Sequence, residues 1–176
     1  MNRRPFLLLA AAALTISAAA AQAPYAGMEA RPIKALSEQQ VADLKAGRGM
    51  GLALVAELNG YPGPSHLLEL ADQFGLSDAE RSTVRGLFEA MKAETIPIGE
   101  RLIAQETALD KLFADHKVTP DTLAAATAEI GVTQAKLRDA HLRYHLSTVA
   151  LLQPSQIKRC AELRGYAAEG NQHHRH

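Results

Sequence analysis

The 176-residue sequence predicts an all-α protein, a long antiparallel helical hairpin with shorter helices on its flanks. Three observations carry that prediction. Alanine, leucine, glutamate, glutamine and arginine, all good helix formers, dominate the chain. Strand signals are sparse: aromatics make up 5% of residues, tryptophan is absent, and alternating β-branched runs are missing. Two long stretches, opening near 77 and 119, repeat apolar residues at near-heptad spacing.

The first 21 residues read as a secretory signal peptide. Arg3 and Arg4 give a positive start, Phe6 to Ile16 form an apolar run too short to span a bilayer comfortably, and Ala19-Ala20-Ala21 offers a small-x-small cleavage site before Gln22. The expected location is therefore the periplasm. Residues 22–36 are expected as a flexible lead-in, 37–166 as one all-helical domain, and 167–176 as a disordered tail carrying His173, His174 and His176. That tail is a compositional metal-binding tract or a solvated end.

Within the domain each helix has its own signals. Ser37 and Gln40 form a capping box ahead of Val41 and Leu44, and Gly47, Gly49 and Gly51 divide the first segment, about 37–57, in two. Asn59-Gly60-Tyr61-Pro62-Gly63-Pro64 is a turn, and a short helix over about 65–74, carrying His66 and Glu69, ends at Gly75. Ser77 with Glu80 caps the second long segment, whose apolar seam runs through Val84, Phe88, Met91, Thr95, Ile98, Leu102, Leu109 and Leu112, with Pro97 inside it. Thr119-Pro120 opens the third long helix. Its seam is Leu123, Ala126, Ile130, Thr133, Leu137, His141, Tyr144, Thr148 and Leu151, and Pro154 forces its end. Gln153 then caps a final helix to about 165.

Composition excludes several classes of function. The whole chain is formally neutral, and loss of Arg3 and Arg4 with the leader makes it slightly acidic, so no basic excess attracts nucleic acid or anionic lipid. Cys160 is the single cysteine, so no intrachain disulfide forms, and it reads as a small helix residue. No nucleophile elbow, phosphate loop or His-Glu-x-x-His motif is present, and the chain reads as non-enzymatic. A thin helical hairpin buries little surface alone, which makes a homodimer the expected state.

Two corners, Leu76-Ser77-Asp78-Ala79-Glu80 and Leu152-Gln153-Pro154-Ser155-Gln156, resemble the paired Leu-Thr-x-x-Gln motifs of the Spy/CpxP superfamily. Leu76, Ser77, Glu80, Leu152, Pro154 and Gln156 carry that likeness, which covers about 65–166. Ser77, Glu80 and Gln153 depart from the motif. The stretch from Met50 through the 59–64 turn to His66 is similar to the branch of periplasmic heavy-metal sensors and refolding chaperones. The resemblance implies a dimeric, cradle-shaped hairpin without an active site, and it leaves open metal binding and chaperone action.

His141 and His145 stand at i and i+4, so their rings share one helix face, the spacing by which a helix gives two imidazoles to one Zn, Ni, Co or Cu ion. His66 and Glu69 are the candidates to complete such a site, with Glu57 and Met50 behind them. The bland alternative makes His141 a hydrogen-bonded seam residue and His145 a surface one. The metal-sensing relatives place histidine and methionine eight and four residues before the corner leucine, where this chain has Tyr144 and Thr148, so the ligand register differs. For chaperone action on unfolded periplasmic proteins, Phe88, Met91, Ile98, Leu102 and Phe113 are the candidate apolar face, rimmed by Arg81, Arg85, Lys92 and Arg101. A third possibility is an adaptor touching a sensor kinase's periplasmic domain.

Overall fold

A computed structural model describes residues 25–166; the leader, the expected cleavage site and the His173–His176 cluster lie outside the described residues. The described chain is all-helical: α1 Glu38–Lys45, α2 Leu54–Glu57, α3 Pro64–Glu69, α4 Ala71–Phe74, α5 Asp78–Ala114, α6 Pro120–Val149 and α7 Pro154–Leu163. Both glycine-rich interruptions fall where the sequence puts breakers, between α1 and α2 and between α2 and α3. The one unexpected break divides the 65–74 segment at Leu70, whose backbone leaves the helical region. Among the described residues, no helix is long and apolar enough to cross a membrane.

Helix starts follow the capping chemistry. Ser37–Gln40, Ser77–Glu80 and Thr119–Thr122 each form a reciprocal capping box, satisfying amide groups that a helix end would otherwise leave bare. At α7 the Gln153 amide donates to Gln156 Oε1 at 2.8 Å, while the Gln156 amide donates to the Gln153 backbone carbonyl at 2.9 Å. The two corner motifs come together: Leu76, Glu80, Leu151 and Leu152 line one small pocket of about 190 Å³. Gln156 and Ser77 help hold the exposed Glu80 carboxyl below its ordinary range, with the Ser77 hydroxyl the main cause.

The two long helices pack along each other. Leu102 of α5 joins Ile130 and Leu137 of α6 and Leu44 of α1 in one buried cluster. Burying each such side chain contributes about 1.5–3 kcal/mol. Helix α1 approaches α5 closely because Gly99 has no side chain; a Cβ there would lie 2.7 Å from the Leu44 carbonyl oxygen. A second cluster, Leu67, Val84 and Cys160, ties α3, α5 and α7 together. Two buried hydroxyls are satisfied within their own helices, Thr95 donating to the Met91 carbonyl and Thr148 to the Tyr144 carbonyl.

Residues 25–36 run as turns, bury Ile33, and pair Lys34 with Asp110 of α5 at 3.1 Å. One expectation is corrected here. The apolar face proposed for client binding is divided, since Met91 and Leu102 are buried in the chain's own core, Phe88 and Ile98 are half-buried, and only Phe113 is exposed. Near-heptad spacing marks a packing seam first, and core packing claims it before any partner does.

Candidate functional site

One cleft of about 570 Å³ lies where α2, α3, α5 and α6 and the glycine-rich segment meet, and His66, Glu69, His141 and His145 all line it, with Glu57 and Met50. Each residue reaches it for a local reason. His141 and His145 sit one turn apart on α6, whose helical spacing puts them on one face. Glu57 is the last residue of α2, and His66 lies in the first turns of α3 behind Pro64 at its start.

The 59–64 turn does more than reverse the chain. Its Tyr61 carbonyl accepts a 2.7 Å hydrogen bond from His145 Nδ1, and its Gly63 amide donates to Glu57 Oε1 at 3.0 Å. Gly63 must lack a side chain, because a Cβ would lie 2.7 Å from His145 Cε1 and 2.8 Å from Nε2. The turn thus covers His145, which is 6% exposed rather than at the surface.

Hydrogen bonding assigns two of the tautomers. A carbonyl oxygen only accepts, so His145 carries its proton on Nδ1, and in the neutral ring Nε2 keeps the lone pair. Arg164, at the C-terminal end of α7, donates from Nη2 to His66 Nε2 at 2.9 Å; a guanidinium has no acceptor, so His66 also carries a proton on Nδ1 and gives it to Glu57 Oε1 at 2.6 Å. A ring N–H held by a carboxylate or carbonyl, with the opposite nitrogen bearing the lone pair, is the outer-shell arrangement that orients metal-binding imidazoles.

His141 differs. It is 2% exposed, and its Nε2 has no hydrogen-bond partner among the described residues. Burial, helped by the neighbouring His145, pushes its pKa below the ordinary histidine value, which keeps the ring neutral. Glu57 is buried as well. Burial pushes its carboxyl upward, but the hydrogen bonds donated by His66 and the Gly63 amide, with the electrostatic pull of the two neighbouring histidines, outweigh it and hold the pKa below the ordinary value. All of these contacts fall on Oε1, which is also 3.5 Å from His145 Nδ1. An ionised carboxylate thus stands beside two imidazoles.

The remaining candidates are held differently. Glu69 is an exposed rim residue that accepts from Ser65 and, at 3.2 Å, from Arg164 Nη1. Arg164 therefore ties His66 and Glu69 together, and its cation sits where the two would otherwise face each other. Among the described residues, no group of three or more His, Cys, Asp or Glu is placed so that it could hold a metal ion. What the cleft offers is a pair of imidazoles one turn apart, one with an unpartnered buried nitrogen and one with a fixed lone pair, donor types that transition metals accept.

Sequence reasoning missed Arg164 and the two backbone groups of the turn. Arg164 lies 98 residues from His66, and no local pattern announces such a partner. Cys160 is buried in α7, and burial together with the Glu57 charge pushes its pKa up to about 11. It is an inert thiol rather than a ligand.

Comparison of the chain with protein-family models, with curated proteins and with solved structures gives no match.

Proposed function

We propose that the cleft binds a divalent transition metal ion, Zn, Ni, Co or Cu, through His141 and His145, in a non-enzymatic Spy/CpxP-like periplasmic protein of heavy-metal sensing or resistance. The observation that carries this reading is the buried His141 Nε2, which has no partner among the described residues and sits one turn from His145. A buried polar nitrogen without a partner costs about 1–3 kcal/mol, which a bound ion would recover. On this reading α5 and α6 form the antiparallel hairpin of a homodimeric cradle. Titration of the purified chain with each metal by calorimetry is the test. Binding that is undiminished in the His141→Ala/His145→Ala variant would refute the assignment.

A holdase for unfolded periplasmic proteins is the second reading. It draws support from the exposed Leu54, Val55 and Leu58 around α2, a short aliphatic patch that no described residue covers. Suppression of client aggregation by the metal-free chain at stoichiometric amounts supports it, and no effect at several-fold excess sinks it.

A further inference from the structure

We infer that Arg164, His66 and Glu57 form a pH-operated latch, which fastens the C-terminal end of α7 beside the cleft and opens when His66 takes up a proton. The latch is independent of the metal reading above, since none of its three residues belongs to the His141–His145 pair.

Arg164 is the C-cap residue of α7 and donates from Nη2 to His66 Nε2 at 2.9 Å. That nitrogen accepts only while it keeps its lone pair. The other ring nitrogen, Nδ1, gives its proton to Glu57 Oε1 at 2.6 Å, so the ring cannot turn over without breaking both bonds. A proton arriving on Nε2 sets two cations 2.9 Å apart, both of them donors with no acceptor between them. The charged ring stays with Glu57, which is 8% exposed and now holds a charge-assisted hydrogen bond. Arg164 is therefore the partner that leaves. It keeps Glu69 Oε2, at 3.2 Å, and the Tyr166 hydroxyl, at 3.3 Å, as alternative company at the rim.

The other charged groups around the cleft are engaged elsewhere. On the same helix as His66, Glu69 is paired with Arg164. On α6, His145 gives its Nδ1 proton to the Tyr61 carbonyl. On α5, Lys92 lies over the Phe88 ring, 5.5 Å from its centroid, and Arg48 of the glycine-rich segment is paired with Asp43. Helix α7 has ten residues; its N-terminal end is fixed by the Gln153–Gln156 corner and its C-terminal end by Arg164. Between the two, Cys160 packs with Leu67 and Val84 in a buried cluster. Release of Arg164 frees the far end while the corner holds, so acid uncovers an apolar face that neutral solution keeps closed.

The single cysteine is a built-in reporter. The test is the rate at which 4,4′-dithiodipyridine, which reacts with thiols in acid as well as at neutral pH, labels Cys160 in the full metal-free chain, divided at each pH by the rate for the unfolded chain. Between about pH 7.5 and about pH 5.5, the range over which histidine titrates, the wild-type ratio should rise. The rise should be about tenfold, the change that loss of one hydrogen bond to a charged group brings. His66→Gln can accept from Arg164 but takes up no proton, and should keep the slow rate at both pH values. Arg164→Gln should label at the fast rate at both. His141→Leu should retain the wild-type step, which separates release of α7 from global loss of stability in acid. A wild-type ratio equal at the two pH values would overturn the latch, and so would a full step in His66→Gln. If that variant does not fold, amide hydrogen exchange of the wild type decides: protection lost in acid towards Leu163 but kept beside the Gln153 corner supports the latch, and uniform loss or none overturns it.

Discussion

Gly63→Ala puts the most direct load on the candidate site. The added Cβ would stand 2.7 Å from His145 Cε1 and 2.8 Å from Nε2, whereas carbon atoms in contact settle at about 3.5–4.0 Å, so the ring must retreat by about 1 Å. It has little room to do so, being 6% exposed and tethered through Nδ1 to the Tyr61 carbonyl at 2.7 Å. Overpacking a buried site costs about 1–3 kcal/mol, and loosening the Tyr61 bond costs about 1 kcal/mol more. A loss of about 2–4 kcal/mol lowers Tm by about 4–16 °C for a chain of this size. Gly49→Ala is the matched control, because its Cβ would meet His141 Nδ1 at 3.7 Å, an ordinary contact. Thermal unfolding followed by circular dichroism compares the two, and metal titration shows whether the displaced His145 still binds. Equal melting of Gly63→Ala and wild type, or an equal drop in both glycine variants, would refute the packing argument.

Two further outcomes follow from buried groups. Burial pushes the His141 pKa below its ordinary value of 6.5, so below that pH the unfolded chain takes up a proton that the folded chain refuses. Stability of the metal-free chain should therefore be flat above about pH 6.5 and decline as the pH falls below it; a His141→Leu variant should lose that dependence, and an unchanged pH–Tm slope would count against it. Cys160, buried and pushed up to about 11, should react with iodoacetamide at pH 7.5 at a rate limited by opening of α7, and denaturant should speed it by orders of magnitude. Rapid labelling of the native chain would show that α7 does not dock as described.

Fold and site were legible to different depths. Capping boxes and seams are local patterns, so helix starts at Glu38, Asp78, Pro120 and Pro154 could be read directly, and Val84, Thr95, Leu137 and Thr148 on the seams are buried. The seams fail at their outer ends, where Leu123 and Leu151 are exposed; Leu151 already lies beyond the end of α6 at Val149. The likeness of the two corners to a family motif stands as a resemblance, although the corners themselves meet in space. His66, Glu69, His141 and His145 reach one cleft, yet their roles there were not readable. The roles depend on Arg164 and on a Tyr61 carbonyl that any residue type could supply. Side chains are visible in a sequence, but backbone acceptors and partners 98 residues away are placed by tertiary packing alone.

The energetics of His141 separate a structural from a functional histidine. No described residue pairs with its Nε2: it continues the Leu137 side of the α6 seam, and a leucine would fill comparable space without leaving that nitrogen unpaired. A histidine kept for structure normally recovers its burial through hydrogen bonds, as His145 does with Tyr61 and His66 does with Glu57 and Arg164. His141 recovers nothing through Nε2, so in the metal-free chain it is a net cost of about 1–3 kcal/mol. The same cavity that penalises a proton on the ring keeps the imidazole neutral, and neutrality is what ligation requires. On the metal reading proposed above, destabilising the empty state and favouring the loaded one would be one property of one residue. A leucine at 141 should move them in opposite directions, which a purely structural histidine cannot do.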